Sequence, residues 1–196
     1  MTLAAPELPT FRPGTGTAIL WIVTAAVSWT VSFLLYREYV GQLSDAPPML
    51  SCNISPFITC GPNLLGFTNA ILGMTLFLGP IFAAVGALAS PGGMRAWYWR
   101  VFAVFVLGGY VLVHVFAYRS IFEFGSLCPW CLIVWLMTIP LFWSVAGWTL
   151  QAGVWGAGAR RIGALIVSWL VLIVVVDCIV IAVAAQVQLD LLGILF

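Results

Sequence analysis

Apolar residues form five long runs along this chain, and short turn-forming segments separate them. The runs are approximately residues 18–40, 64–89, 96–122, 128–150 and 162–187. Each is long enough to cross the hydrocarbon core of a bilayer, which takes about 20 apolar residues in a helix. The breaks contain Asp45-Ala-Pro-Pro, Ser90-Pro-Gly-Gly and a glycine-rich stretch at 151–159, all of which favour turns. The pattern therefore predicts an all-α integral membrane protein with about five transmembrane helices.

The N-terminal segment differs from the rest of the chain. Residues 1–16 are rich in Pro, Thr and Gly, which predicts a flexible tail. Residues 17–196 show no internal repeat, so we expect a single membrane domain. The first apolar run is longer than the core of a signal peptide, and no small-residue cleavage site follows it, so we expect a retained helix.

The composition supports a membrane protein. The chain has 196 residues, of which 63% are hydrophobic and 7% are charged, whereas a soluble domain carries about 25% charged residues. The formal net charge of +1 gives no basic surface of the kind that binds nucleic acids. These values exclude an ordinary soluble domain.

The arginines predict the orientation of the chain, because they collect on the cytoplasmic side of membrane proteins. Placing the N-terminus inside puts five of the seven on that side: Arg12, Arg95, Arg100, Arg160 and Arg161. Arg37 and Arg119 then lie outside. We therefore expect a cytoplasmic N-terminus.

Four of the five cysteines lie at one end of the predicted bundle. Cys52 and Cys60 are in the segment between the first two runs, and Cys128 and Cys131 begin the fourth run. With the N-terminus inside, all four are extracytoplasmic, where disulfides persist. The arginine distribution and the cysteine distribution therefore agree.

The Cys128-Pro-Trp-Cys131 motif stands at a predicted helix start. The partial positive charge of a helix N-terminus favours a thiolate, which is the species that attacks a disulfide. Pro129 is favourable at the first helical position, where its missing N–H costs nothing. We expect Cys128 at the aqueous boundary and Cys131 about one turn deeper.

The loop pair and the helix pair together predict a thiol relay. Pro56 and Gly61-Pro62 prevent one regular helix over the segment with Cys52 and Cys60, so that this pair could alternate between two contacts. Two other interpretations remain open for the four cysteines: two structural disulfides, or a zinc site. In a relay, the final electron acceptor would be supplied by the bilayer, and a lipid quinone is the candidate.

The chain resembles the vitamin K epoxide reductase family in its bacterial branch. The motifs that carry the resemblance are Cys52-x7-Cys60, Asn69-Ala-Ile-Leu-Gly73 and Cys128-Pro-Trp-Cys131-Leu-Ile-Val-Trp135, within residues 17 to 150. The resemblance implies a four-helix bundle around a quinone pocket, to which this chain adds a fifth transmembrane helix. It also implies electron transfer from a thioredoxin-like partner to the quinone.

The resemblance implies a role for each motif cysteine. Cys52 would meet the partner, Cys60 would exchange with Cys128, and Cys131 would pass electrons to the quinone. These roles make the chain a membrane thiol–disulfide oxidoreductase, a quinone reductase that generates disulfides for exported proteins. Nothing in the residues indicates vitamin K epoxide as a substrate.

Asn69 and Trp135 are the implied quinone-binding residues. Asn69 matches an asparagine that hydrogen-bonds a quinone carbonyl, and Trp135 matches an aromatic position on the ring pocket. The quinone would be menaquinone or ubiquinone. Only eight residues separate Cys60 from Asn69, so we expect a short loop over the pocket. Many bacterial relatives continue into a fused thioredoxin-like domain, whereas this sequence runs nine residues past its fifth span. We therefore expect a separate extracytoplasmic thioredoxin-like thiol oxidase as the partner, unless the sequence is a truncated form of a longer chain.

Two other functions compete with this interpretation of the sequence. The unrelated disulfide-forming quinone reductase of other bacteria has its CxxC before its loop pair, the reverse of the order here. A small transporter or structural membrane protein would keep two permanent structural disulfides. The chain lacks the paired broken repeats that many transporters use, which counts against a transporter.

Four residues outside these motifs are also notable. His114 is predicted to be a neutral imidazole bonded between helices, with a proton relay to the quinone as the alternative. Asp177 is expected either to pair with a polar neighbour or to face water, and Cys178 to be a buried thiol. Arg119 is expected to pair with Glu123 at i and i+4.

Overall fold

The structure, a computed structural model, describes residues 9–43 and 69–189. In these ranges the chain is almost entirely helical, with the helices α1 Thr15–Leu43, α2 Asn69–Ala89, α3 Ala96–Tyr118, α4 Pro129–Gln151, α5 Arg160–Ser168 and α6 Leu170–Leu189. Five segments are long and apolar enough to cross a membrane. The predicted all-α integral membrane fold is confirmed.

Helices α1 to α4 form the central bundle. Helix α1 packs against α2 and α4, and α4 also packs against α3, while α2 and α3 make fewer contacts. An aromatic cluster packs α1, α3 and α4 together at one end. The centroid of the Trp99 ring lies 6.0 Å from that of Trp21 and 4.7 Å from that of Trp148. The Trp21 indole N–H also donates to Ser144 Oγ at 2.9 Å. Trp21 and Trp99 are fully buried, so this end of the bundle is a well-packed core.

The prediction of a flexible tail over residues 1–16 is wrong for its second half. A short strand β1, Thr10–Phe11, pairs antiparallel with β2, Met94–Arg95. The Trp99 indole N–H donates to the carbonyl of Phe11 at 3.0 Å, and helix α1 begins at Thr15. Backbone pairing and a buried indole therefore anchor this segment. Residues 1–8 lie outside the described range.

The predicted fifth span, residues 162–187, is two helices with one irregular residue between them. Trp169 has φ −107° and ψ 15°, yet its N–H bonds the carbonyl of Leu165 and its own carbonyl accepts from Ile173. No proline or glycine marks the break, so the sequence pattern does not indicate it. Helix α5 packs on the end of α4, and α6 is the part long enough to span.

The other span boundaries are close to the predicted ones. The run predicted at 96–122 is α3 followed by a π-helical turn, Arg119–Glu123. The run predicted at 128–150 is α4, shifted by one residue at each end. Of the run predicted at 64–89, residues 69–89 are helix α2, and residues 64–68 lie outside the described part of the chain.

Candidate active site

The helix start at Pro129 positions the Cys-Pro-Trp-Cys motif. Cys128 is the N-cap residue with extended backbone angles, and its carbonyl accepts from the N–H of Leu132 at 3.1 Å. Pro129 occupies the first turn, as the sequence predicts. Cys128 and Cys131 are both thiols, of which Cys128 is buried and Cys131 is partly buried. The chain therefore places one cysteine at the cap and the other one turn inside.

The hydrogen bonds around Cys128 stabilise its thiolate. The Cys131 thiol donates to the Cys128 sulfur, and the backbone N–H groups of Cys131 and Trp130 also bond it. Together they outweigh burial, which acts in the opposite direction, and lower the pKa of Cys128 to about 7. Cys128 is thus the member of the pair with nucleophilic character near neutral pH.

A cavity of about 170 Å³ lies between α1, α2, α3 and α4 next to this helix start. Four of the six sequence-predicted site residues line it: Asn69, Cys128, Cys131 and Trp135. Most of the remaining wall is apolar, and includes Leu72, Leu76, Phe77, Val113, Phe116 and Val134. The tertiary structure therefore brings the motif on α2 and the motif on α4 to one enclosed space. Cys52 and Cys60 lie outside the described residues.

Asn69 places a buried polar atom in the wall of the cavity. It is the first residue of α2, and its Oδ1 is buried with no hydrogen-bond donor among the described residues. A buried amide oxygen without a partner costs free energy unless a ligand bonds it. The amide can accept from a hydroxyl group and can donate to a carbonyl. The residues present therefore fit a small apolar ring that carries carbonyl or hydroxyl groups.

Trp135 belongs both to the cavity wall and to a second apolar cluster. Its side chain is 4% exposed and lines the cavity. It also belongs to a second apolar cluster with Val113, Ile121 and Leu127. The ring is therefore held by packing, as an aromatic wall of a binding pocket must be.

Two hydrogen bonds between Ser120 and Ser126 hold the segment that precedes α4. Ser120 Oγ donates to the carbonyl of Ser126, and the N–H of Ser126 donates to the carbonyl of Ser120 at 3.1 Å. Within the π-helical turn, Arg119 Nε lies 2.5 Å from Glu123 Oε2, which confirms the predicted i, i+4 pair. Such π-helical turns occur frequently at functional sites. Here the turn lies just before the segment that leads to Cys128 and α4.

Glu38 is a cavity residue that the sequence interpretation missed. It lies in α1, it is 5% exposed, and it lines the cavity with Ser32 and Tyr39 of the same helix. The available signal was a carboxylate near the end of an apolar run, which is unusual in a membrane helix. A titratable group thus lies in the same space as the cysteine pair.

Metal binding receives no support from the part of the chain in the two described ranges. There, no group of three or more His, Cys, Asp or Glu side chains could hold a metal ion. The zinc alternative needs Cys52 and Cys60, which are outside these ranges, so the structure does not address it.

The comparisons with known proteins identify a family. No curated protein and no solved structure matches the chain significantly. Residues 19–146 match the family model for the vitamin K epoxide reductase family. This range covers more than half of the chain and includes the whole cavity between α1 and α4. The chain therefore belongs to the vitamin K epoxide reductase family, whose members are membrane oxidoreductases.

Proposed function

We propose that this protein passes electrons from an extracytoplasmic thioredoxin-like partner to a lipid quinone and so generates disulfides in exported proteins. The route runs from Cys52 and Cys60 to Cys128 and Cys131. The partner is a separate thiol oxidase, and the quinone is menaquinone or ubiquinone. The membrane is the bacterial cell membrane, with the N-terminus cytoplasmic and the cysteine motifs outside.

The observation that carries the proposal is the shared cavity. Asn69, Cys131 and Trp135 come from two different helices and line one apolar space. A thiol that exchanges with a partner in water needs no such space, whereas a thiol that reduces a lipid-soluble ring does. The unpartnered Asn69 Oδ1 is the group that would accept from a quinol hydroxyl.

The thiol steps are two successive exchanges. A partner thiolate attacks the Cys52–Cys60 disulfide at Cys52 and releases Cys60. The second partner thiol then attacks the mixed disulfide, so that the partner leaves as a disulfide and Cys52 is released as a thiol. The Cys60 thiolate next attacks the Cys128–Cys131 disulfide at Cys128 and releases Cys131. Cys52 resolves this mixed disulfide by attacking Cys60, which restores the Cys52–Cys60 bond and leaves Cys128 and Cys131 as a dithiol. Each exchange moves two electrons and conserves the number of disulfides.

The last step oxidises the helix pair. Cys128 and Cys131 form their disulfide again, and two electrons and two protons pass to the quinone in the cavity to give the quinol. The Asn69 amide donates to the ring carbonyl and stabilises the negative charge that develops there. The lowered pKa of Cys128 supports this step, because the dithiol must lose its protons when it is oxidised and Cys128 is already partly deprotonated near neutral pH.

The test is quinone reduction by the purified full-length protein in detergent. The donor is a reduced thioredoxin-like protein, and menaquinone and ubiquinone analogues are compared. We expect activity in the wild type and loss in both Cys131→Ala and Cys52→Ala. Cys178→Ala is the matched control, since Cys178 lies in α6 away from the cavity, and it should retain activity. Activity that survives Cys131→Ala would contradict the proposed route.

A further inference from the structure

Asp177 in α6 joins three helices through its carboxylate. Its Oδ2 accepts from the Tyr110 hydroxyl at 2.6 Å and from the Trp143 indole N–H at 3.0 Å. Its Oδ1 lies 3.1 Å from His114 Nε2. Tyr110 and His114 are on α3 and Trp143 is on α4, so that one side chain of α6 is fastened to two helices of the central bundle. The inter-helix bond predicted for His114 is present, and so is the polar neighbour predicted for Asp177.

The hydrogen-bond geometry locates a proton in this network. His114 Nδ1 lies 3.0 Å from the carbonyl oxygen of Tyr110, which can only accept, so Nδ1 carries a hydrogen. A neutral imidazole would then present Nε2 as an acceptor to the Asp177 carboxylate. The 3.1 Å contact needs a proton between these atoms. The predicted neutral imidazole therefore requires a protonated Asp177, and otherwise the two groups are an ion pair.

The Asp177 network attaches the middle of α6 to α3 and α4. The other faces of α6 point outward, as the exposures of 77% for Val171 and 80% for Val187 show. Cys178 is partly buried, whereas a fully buried thiol was predicted. In a bilayer the hydrophobic effect does not drive these apolar faces against another helix, so α6 is held by van der Waals packing and by interhelical hydrogen bonds. The three hydrogen bonds to Asp177 are consequently a large part of what orients α6.

The outer end of α6 packs behind the cysteine motif. Leu189 is twelve residues from Asp177, which is about 18 Å along a helix. Ala185 and Leu189 are buried in the apolar cluster that also contains Leu127 and Trp135. The helix is therefore anchored in the middle of the bundle and makes its second contact at the start of α4.

Cys131 is part of the same packing unit. Its side chain and that of Leu132 contact the cluster to which Ala185 and Leu189 belong. The Cys131 thiol in turn donates to Cys128. A displacement of the end of α6 would loosen the packing that orients the Cys131 thiol. Helix α6 lies outside the residues that match the family, so that this support belongs to this chain's own architecture.

We propose that Asp177 is a positioning residue for the Cys128–Cys131 pair. It fixes α6 to α3 and α4, and α6 then packs in the same apolar cluster as Leu127, Cys131 and Trp135. The importance of this positioning for electron transfer rests on the proposed function. The physical effect, a change in thiol reactivity at Cys128, is measurable without quinone or partner.

The experiment measures the rate of Cys128 alkylation by iodoacetamide across a pH series. The protein is the full chain in detergent with Cys52, Cys60 and Cys178 changed to Ala. This background leaves only the helix pair as thiols, both reduced. Mass spectrometry assigns the modified site. The helix variants Asp177→Ala, Leu189→Ala and Val187→Ala are compared.

We expect Asp177→Ala to raise the pH midpoint from about 7 toward the ordinary thiol value of about 8.5, with the rate at neutral pH falling roughly tenfold. Leu189→Ala should shift the midpoint in the same direction while the Asp177 network stays intact. Val187→Ala is the control, because this residue is on the same helix and faces outward, and it should leave the midpoint unchanged. Asp177→Asn keeps an oxygen acceptor for Tyr110 and Trp143, so its midpoint should stay close to the wild-type value.

An unchanged midpoint in folded Asp177→Ala would overturn the proposal, even if its thermal stability fell. If that variant does not fold, Leu189→Ala and the milder Tyr110→Phe decide, and an unchanged midpoint in both would overturn it equally. Because no quinone is present, a failure of the electron-transfer proposal would leave this result unaffected.

Discussion

The Cys131 thiol donates a hydrogen bond to the Cys128 sulfur across the first turn of α4. This bond makes the largest contribution to the lowered pKa of Cys128, which lies at about 7. The two cysteines are therefore unequal: one is stabilised as a thiolate and the other is its donor. Such an asymmetry is what directional thiol exchange requires.

Removing the Cys131 donor should raise the pKa of Cys128. In Cys131→Ala the thiolate loses its strongest hydrogen bond while burial continues to favour the neutral thiol. At neutral pH the thiolate fraction, and with it the alkylation rate, should fall roughly tenfold. Cys131→Ser keeps a hydroxyl donor and is expected to stay near the wild-type rate. Equal rates in the alanine and serine variants would show that the hydrogen bond is not the cause.

Loss of the Asn69 amide should weaken quinone reduction specifically. In Asn69→Ala the developing charge on the ring oxygen loses a hydrogen bond, which corresponds to roughly 10–100-fold in kcat/KM. Steady-state kinetics with a quinone analogue provides the measurement. Thr75→Ala is the control on the same helix, since its hydroxyl bonds the Ile71 carbonyl and its side chain is exposed. A similar loss in both variants would indicate damage to α2 rather than to the site.

Adding a methyl group at Gly73 should disturb the contact between α1 and α2. A Cβ there would lie 2.9 Å from the Cβ of Ser32 and still closer to its hydroxyl. We expect Gly73→Ala to lower the free energy of unfolding by about 1–3 kcal/mol. Thermal unfolding in detergent measures this. Gly108→Ala should have little effect, because a Cβ at Gly108 meets open space.

The Gly73 effect should be partly reversed by a second substitution. Ser32→Gly removes both atoms that a Cβ at position 73 would meet. The double variant should therefore be more stable than the sum of the two single effects. Strict additivity would mean that the two residues are not in contact.

Gly163 should tolerate substitution even less than Gly73, because its neighbours are backbone atoms. A Cβ at Gly163 would lie 2.6 Å from the carbonyl carbon of Leu150. A backbone cannot rotate away as a side chain can, so Gly163→Ala must displace α5 from α4. We expect a loss of at least about 2 kcal/mol in unfolding free energy. Gly158→Ala, which meets no atom within 4 Å, is the matched control, and equal melting temperatures for the two variants would contradict close packing at Gly163.

The amino-acid sequence by itself determined the class of the protein and the positions of most of its helices. Apolar runs long enough to span a bilayer are a property of consecutive residues, so they can be identified without knowledge of the fold. The position of Cys128 and Pro129 at a helix start is equally local. The motifs around Cys52, Asn69 and Cys128 also pointed to the family.

Only the tertiary structure decided which side chains share a space. These helices are apolar on nearly every face, and so the hydrophobic pattern does not tell which face turns inward. Asn69 and Cys131 meet at one cavity because of helix packing, and Glu38 joins them for the same reason. Tyr110 and Trp143 become partners of Asp177 only when α3, α4 and α6 are placed together. The same holds for the anchored segment at Thr10, because it depends on pairing with the distant residue Arg95 and not on the residues beside it.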